Sequence, residues 1–292
     1  MGLHIGEPKG KAPEEALEVI FNNSDTFSKY PTSVGDFSLR EAYCGWLSDR
    51  FSVNYINPDL NVLPLSGTRE GIFSFIQCVI DTSKEKPKVI LPNPFYKIYE
   101  GAAIMAGAEP YYVNSEESNG FKPDFESIPE SVWKDCQLLI LCSPSNPTGY
   151  CLDKKEYREL LRKAEKYNFL LCSDECYIDI YETNAHPPAG LLECDDLSEP
   201  NSKSVVFHSL SKRSNLAGLR SGFICAGKEV IEKLSLYRTY HGVTLSFPTQ
   251  KASTWAWSDK DHVQANRLEY DKKYKESKWF LRNKRYSCSS FR

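Results

Sequence analysis

Short apolar runs alternate along this chain with segments whose apolar positions recur every three or four residues. The runs are residues 62–65, 88–91, 111–113, 138–142, 169–172, 204–207 and 222–226. Their apolar character is continuous, which marks strands covered on both faces. The periodic segments predict helices. One follows Pro13 and runs through Phe21, with the proline suited to a first turn. Another spans 36–51, with Leu39, Tyr43, Trp46 and Leu47 on one face. Beyond the Ser66-Gly67-Thr68 turn an apolar helix is predicted through Ile80, and 96–107 reads as a helix ended by glycine. Residues 154–168 are amphipathic, with Tyr157, Leu160, Leu161 and Ala164 inward. Such alternation predicts an α/β fold with a mostly parallel sheet between helices. From Lys228 the pattern is mainly helical, with a long polar helix over 260–280. It loses its period after about Ser277. The expected organisation is an N-terminal segment 1–30, a large domain 31–227, and interdomain helices with an incomplete small domain over 228–292.

Composition narrows the class. Of the 292 residues, 41% are hydrophobic and 26% charged, and the net charge is −3. That near-neutral balance gives no electrostatic reason to expect nucleic acid or an anionic membrane as partner. No apolar run approaches the roughly 20 residues of a membrane span. The first residues lack the charged-then-apolar order of a secretory leader, so a cytoplasmic protein is expected. The ten cysteines sit mostly alone; Cys78, Cys142, Cys172 and Cys225 lie inside apolar runs, where a thiol acts as a small hydrophobe. Cys172 and Cys176 are the nearest pair, without a second pair or a histidine at ligand spacing, and no metal is expected.

Polar groups cluster just after the strand ends, where open α/β sheets place their ligands. Lys212 follows a buried run, and desolvation there favours its neutral, nucleophilic amine. Asp174 stands at the mouth of another run and reads as a ligand group or a cap. Asn146, in S-P-S-N-P-T-G, reads as a ligand group or as turn chemistry. Ser66-Gly67-Thr68 opens a helix, a phosphate seat or an ordinary N-cap. Ser209, Ser211 and Arg220 add two hydroxyls and a guanidinium around Lys212. A ligand with an aldehyde, a ring nitrogen kept protonated, a phenolic oxygen and a phosphate suits the whole set. Pyridoxal 5′-phosphate is such a ligand.

Seven motifs in order then carry a family resemblance: G-E-P, Y-P-T-S-V-G, S-G-T-R-E, P-F-Y-K-I-Y-E-G, S-P-S-N-P-T-G, S-D-E-C-Y and S-L-S-K-R-S-N-L-A-G-L-R. Together they resemble the class I/II aminotransferases of the fold type I pyridoxal-phosphate family, from Gly6 to about Tyr270. The resemblance implies that Lys212 is the Schiff-base lysine and moves the proton between substrate Cα and cofactor. It implies that Asp174 pairs with the ring nitrogen, that Asn146 and Tyr177 contact the phenolic oxygen, and that Tyr96 stacks on the ring. Ser66, Gly67, Thr68, Ser209 and Arg220 are implied around the phosphate, with Ser211 or Arg69 joining them. Tyr30 matches a tyrosine given to the neighbouring subunit of a homodimer, and Gly6 and Asn146 match substrate-binding positions. Within the family, the wording around Lys212 and Y-R-T-Y-H-G is most similar to succinyldiaminopimelate aminotransferases of bacterial lysine synthesis. The implied reaction moves an amino group between glutamate and N-succinyl-2-amino-6-oxopimelate. A β-elimination enzyme on the same site and a non-catalytic remnant that binds the cofactor are the rival expectations.

The chain also departs from the family. The N-terminal arm is nearly absent, and no residue matches the arginine that grips the substrate α-carboxylate in the C-terminal lobe. Arg282, Arg285 and Arg292 fall in the tail, which reads as an irregular or truncated end. The expectation is a chain that holds cofactor and transaminates poorly, because orientation is lost with the clamp.

Overall fold

Pro13 leads into α1 (Glu14–Asn22) in the computed structural model, which describes residues 6–283. The 3.6-residue period of the next segment produces α2 (Phe37–Phe51), which buries Leu39, Tyr43, Trp46, Leu47 and Phe51. Each such side chain contributes roughly 1.5–3 kcal/mol on burial. In chain order there follow β1 (Val62–Leu65), α3 (Thr68–Val79), β2 (Lys88–Asn93), α4 (Ile98–Met105), β3 (Glu109–Asn114), α5 (Glu130–Asp135) and β4 (Cys136–Cys142). Then come α6 (Lys154–Tyr167), β5 (Leu170–Asp174), β6 (Ser204–Ser209), α7 (Leu210–Arg213) and β7 (Gly222–Ala226). Three helices complete the described chain: α8 (Lys228–His241), α9 (Phe247–Ser258) and α10 (Asp261–Asn283).

The strands form one sheet in the order β1-β7-β6-β5-β4-β2-β3. Only β7 runs against its neighbours, pairing antiparallel with both β1 and β6, so the expected mostly parallel sheet is present. Pro64 lies in β1, an edge strand, where a missing N–H costs no ladder bond on the open side. Continuity of the apolar runs has its reason here. Leu139 and Leu141 of β4 face one core, with Val206, Phe223 and Tyr157. Leu138 and Ile140 face the other, with Phe207, Ile72, Phe75 and Tyr99. Both faces are covered along the inner strands β4, β5, β6 and β7; β3, at the sheet edge, buries only Val113 and leaves Tyr112 exposed, so the apolar run 111–113 is not covered on both faces as expected.

Three local expectations change. Lys212 is not in a loop but in α7, a single helical turn that Ser209 caps by accepting the Ser211 N–H at 3.1 Å. α5 was not foreseen; six residues are too few to show a period, although Val132 and Trp133 are buried. The helix predicted from Tyr96 begins at Ile98, leaving Tyr96 just ahead of it. The long polar helix expected over 260–280 is present as α10, which continues three residues further to Asn283. That stretch has no glycine or proline to stop a helix, and Lys278 pairs with Glu182. Arg285 and Arg292 lie outside the described residues. Among the described residues no helix is long and apolar enough to cross a membrane.

Candidate active site

The carboxyl ends of β4, β5 and β6 and the turn between β1 and α3 border a cavity of about 760 Å³. That volume suits a cofactor with a small substrate. Of the residues singled out from sequence, Gly6, Ser66, Thr68, Tyr96, Asn146, Asp174, Tyr177, Ser209, Ser211, Lys212 and Arg220 line it, as does Arg69. Gly67 lies in the turn between two of them. Tyr30 is fully exposed and lines no part of the cavity.

The half-buried amine of Lys212 donates to the Gly6 carbonyl and lies 5.9 Å from the centre of the Tyr177 ring. Burial lowers its pKa; Cys176 and Glu7 oppose that shift and Arg220 adds to it. Asp174 closes β5 with a buried carboxylate. Its Oδ2 accepts the Tyr99 hydroxyl at 2.7 Å, and its Oδ1 accepts the Cys176 N–H at 3.2 Å. Burial raises its pKa, while the bonds from Cys176 and Tyr99 act the other way. Asn146 Nδ2 donates to the Tyr177 hydroxyl over a long 3.5 Å, so the two groups point toward one region. Tyr96 accepts the Arg69 Nε–H at 2.5 Å, which draws that guanidinium to the ring.

At the start of α3 the first intrahelical bond runs from Gly71 N–H to Gly67 O (3.2 Å), so earlier amides have no partner within the helix. Gly67 sits at φ 83°, a left-handed value. A Cβ there would collide with the Arg220 guanidinium, so only glycine lets that cation approach the helix start. Arg220 Nη1 also donates to Ala217 O at 2.9 Å. The Ser66 N–H does not face the cavity unpartnered, because Glu70 Oε2 accepts it at 3.1 Å.

This donor set fits pyridoxal phosphate. A buried carboxylate suits a protonated ring nitrogen, and a guanidinium beside free helix amides suits a phosphate. A lysine amine with a lowered pKa suits an aldehyde. Sequence reading missed four contributors. Tyr99 holds Asp174; its place three residues after Tyr96 in P-F-Y-K-I-Y was the available signal. Glu70 ties the β1–α3 turn to α8 by pairing with Arg238, and nothing local in the sequence points to that partner. Cys176 was set aside with the structural thiols, yet it lines the cavity with its sulfur 3.2 Å from Thr68 Oγ1. Cys142, expected as filler in a strand, lines it too.

Known proteins bear on this geometry. A family model described as aminotransferase class I and II matches residues 1–287. The LL-diaminopimelate aminotransferase of Aquifex aeolicus is 34% identical over 242 residues, which cover 81% of this chain and 60% of that protein. The crystal structure of an aminotransferase from Neisseria meningitidis is 41% identical with a TM-score of 0.89, covering 94% of this chain and 70% of that one. A probable N-succinyldiaminopimelate aminotransferase from Thermus thermophilus shares the fold at 24% identity, with a TM-score of 0.83 over 93% of this chain and 71% of its own. The chain spans about 60% of the length of the Aquifex relative. Enzymes of the matched family depend on pyridoxal phosphate. On the match along nearly its whole length, the chain belongs to the class I and II aminotransferase family.

Proposed function

We propose that this chain carries the cofactor site of a pyridoxal-phosphate aminotransferase that moves an amino group from glutamate to a 2-oxo acid of the diaminopimelate branch of lysine synthesis. N-succinyl-2-amino-6-oxopimelate is the proposed acceptor, and the alternative acceptor is the one implied by the name of the LL-diaminopimelate relatives. The observation that carries the reading is one cavity lined by both a half-buried lysine amine and a buried carboxylate. Residues 31–227 would form the cofactor-binding domain, with 1–30 an N-terminal segment and 228–292 the start of a smaller domain.

Pyridoxal phosphate, when bound, supplies an electron sink for bonds at the substrate Cα. Lys212 would hold the cofactor aldehyde and would take or return the proton at the substrate Cα, work that its lowered pKa suits near neutrality. The Asp174 carboxylate stabilises positive charge at the ring nitrogen, and Tyr99 keeps the carboxylate oriented. Asn146 and Tyr177 would donate to the phenolic oxygen, and Tyr96 would lie against the ring. The hydroxyls of Ser66, Thr68, Ser209 and Ser211, the Arg220 guanidinium and the Gly67 and Thr68 amides would hold the phosphate, the Ser66 amide being taken by Glu70. Gly6 lines the substrate side, and its carbonyl accepts from the Lys212 amine. Exposed Leu17, Phe21, Phe27 and Phe37 support a homodimer in which Tyr30 reaches the phosphate seat of a second copy.

A spectral titration tests the reading. Purified chain is loaded with pyridoxal phosphate, then given glutamate, then candidate 2-oxo acids. The expected result is loss of the cofactor's aldehyde-form absorbance with glutamate and its recovery with the correct acceptor. Lys212→Ala should abolish both changes. Release of pyruvate and ammonia from cysteine conjugates without any acceptor would replace the reading with β-elimination. A bound cofactor that glutamate never discharges would leave only a binding module.

A further inference from the structure

We infer that α10 is the brace of the lysine turn, and that Asn266 and His262 on it are positioning residues for Lys212. This rests on Lys212 being the cofactor lysine. α7 has four residues, too few to hold a helical turn by its own hydrogen bonds. Its first end is capped by Ser209, and its last carbonyls need partners from elsewhere. Asn266, only 7% exposed, supplies them: its Nδ2 donates to Lys212 O at 3.0 Å and to Arg213 O at 2.9 Å. The amide cannot turn over, because Asn215 Nδ2 donates to Asn266 Oδ1 at 2.7 Å. Both Asn266 protons are therefore aimed at the backbone of the lysine and of its neighbour.

One helical turn earlier, His262 makes a second tie. Its Nδ1 lies 2.6 Å from Asp259 Oδ2, which fixes the proton there, and leaves Nε2 to accept the Ser214 hydroxyl at 2.8 Å. The ring also stacks on Trp255, with centroids 5.0 Å apart. A third hold comes from Arg213, next to the lysine, which donates to Asp179 at 2.9 Å and to the Ala256 carbonyl at 2.6 Å. Lys212, Arg213 and Ser214 are thus each tied to α10, the first two through their carbonyls and the third through its hydroxyl, and Arg213 is held besides by Asp179 and α9. A small displacement of that backbone moves the amine at the end of a four-carbon stem. Orientation losses of this kind reduce reaction rates steeply.

The test follows the rate at which Lys212 becomes covalently attached to pyridoxal 5′-phosphate on borohydride reduction, read by peptide mass mapping, beside the absorbance spectrum of the loaded chain. Asn266→Leu keeps the size and removes the donors. Among molecules shown to be folded by urea titration, it should slow attachment about tenfold and shift the cofactor absorbance. Gln264→Ala, exposed on the same helix, should do neither. If Asn266→Leu does not fold, Asn215→Gly serves, since it removes only the group that orients the Asn266 amide and tolerates the left-handed φ of 53°. An attachment rate equal to the parent chain's in a folded Asn266→Leu, or in Asn215→Gly where that is needed, overturns the inference. Attachment at another lysine, or at none, in the parent chain overturns the reading of Lys212 and the brace with it.

Discussion

At Gly67 the backbone needs a positive φ and Arg220 needs the space a side chain would fill. Gly67→Ala is therefore expected to cost about 1 kcal/mol of stability from the strained backbone. It should also push Arg220 off the start of α3, weakening retention of pyridoxal phosphate in equilibrium dialysis. A second residue-scale case is the pair Glu175 and His208, which are 3.5 Å apart and fully enclosed by the core. Burial pushes Glu175 from 4.5 up to about 8. Burial, then the charges of Arg50 and Arg213, pushes His208 well below 6.5. Both are therefore neutral in the folded chain and form no ion pair at neutral pH. The signs oppose. Folded Glu175 keeps a proton that the unfolded chain loses above 4.5, so its contribution falls with pH up to about 8. Unfolded His208 takes a proton below 6.5 that the folded chain refuses, so its contribution rises with pH up to 6.5. The net expectation is a loss of about 2 kcal/mol between pH 6.5 and 8. Urea unfolding at the two pH values measures it. Glu175→Gln, which keeps an acceptor for the Leu191 N–H, should flatten that slope.

Among the elements, α6 shows how local signals and tertiary burial combine. Asp153 accepts the Glu156 N–H at 2.8 Å, and Glu156 returns the bond to the Asp153 N–H at 2.9 Å. This capping box supports a helix that buries Tyr157, Leu160 and Ala164. Asp153→Ala should lower stability by about 1 kcal/mol, read as a shifted urea midpoint with the cavity's cofactor affinity unchanged. α7 is the opposite case. Nothing in L-S-K-R favours one helical turn over a loop, and the partners that hold it come from α9 and α10. A local window therefore reads Lys212 as a loop residue although its type and neighbours already mark it as reactive.

For the whole molecule, Leu17, Phe21, Phe27, Tyr30, Val34 and Phe37 expose apolar side chains within one stretch of chain, and Tyr30 is the most exposed of them. Tyr30→Ala should leave the unfolding midpoint of the single chain unchanged, because the side chain touches little. If two copies share a site, it should weaken pyridoxal phosphate binding about tenfold in the dimer. Sedimentation at several concentrations, paired with cofactor titration, checks this. Unchanged affinity in a proven dimer would remove Tyr30 from the phosphate seat.

The amino-acid sequence by itself determined the alternation of strands and helices, since burial on two faces leaves continuous apolar runs such as 138–142. It also placed Lys212, Asp174, Asn146 and the Ser66-Gly67-Thr68 turn after those runs, where sheet ends open. Only the tertiary structure decided that β7 runs antiparallel between β1 and β6, because an apolar run has no direction. Only it joined Tyr99 to Asp174, Glu70 to Arg238 and Asn266 to the carbonyl of Lys212, across 75, 168 and 54 positions. Those bonds join groups whose local surroundings carry no trace of the distant partner. The period of a segment records which face is buried, not which partner waits there.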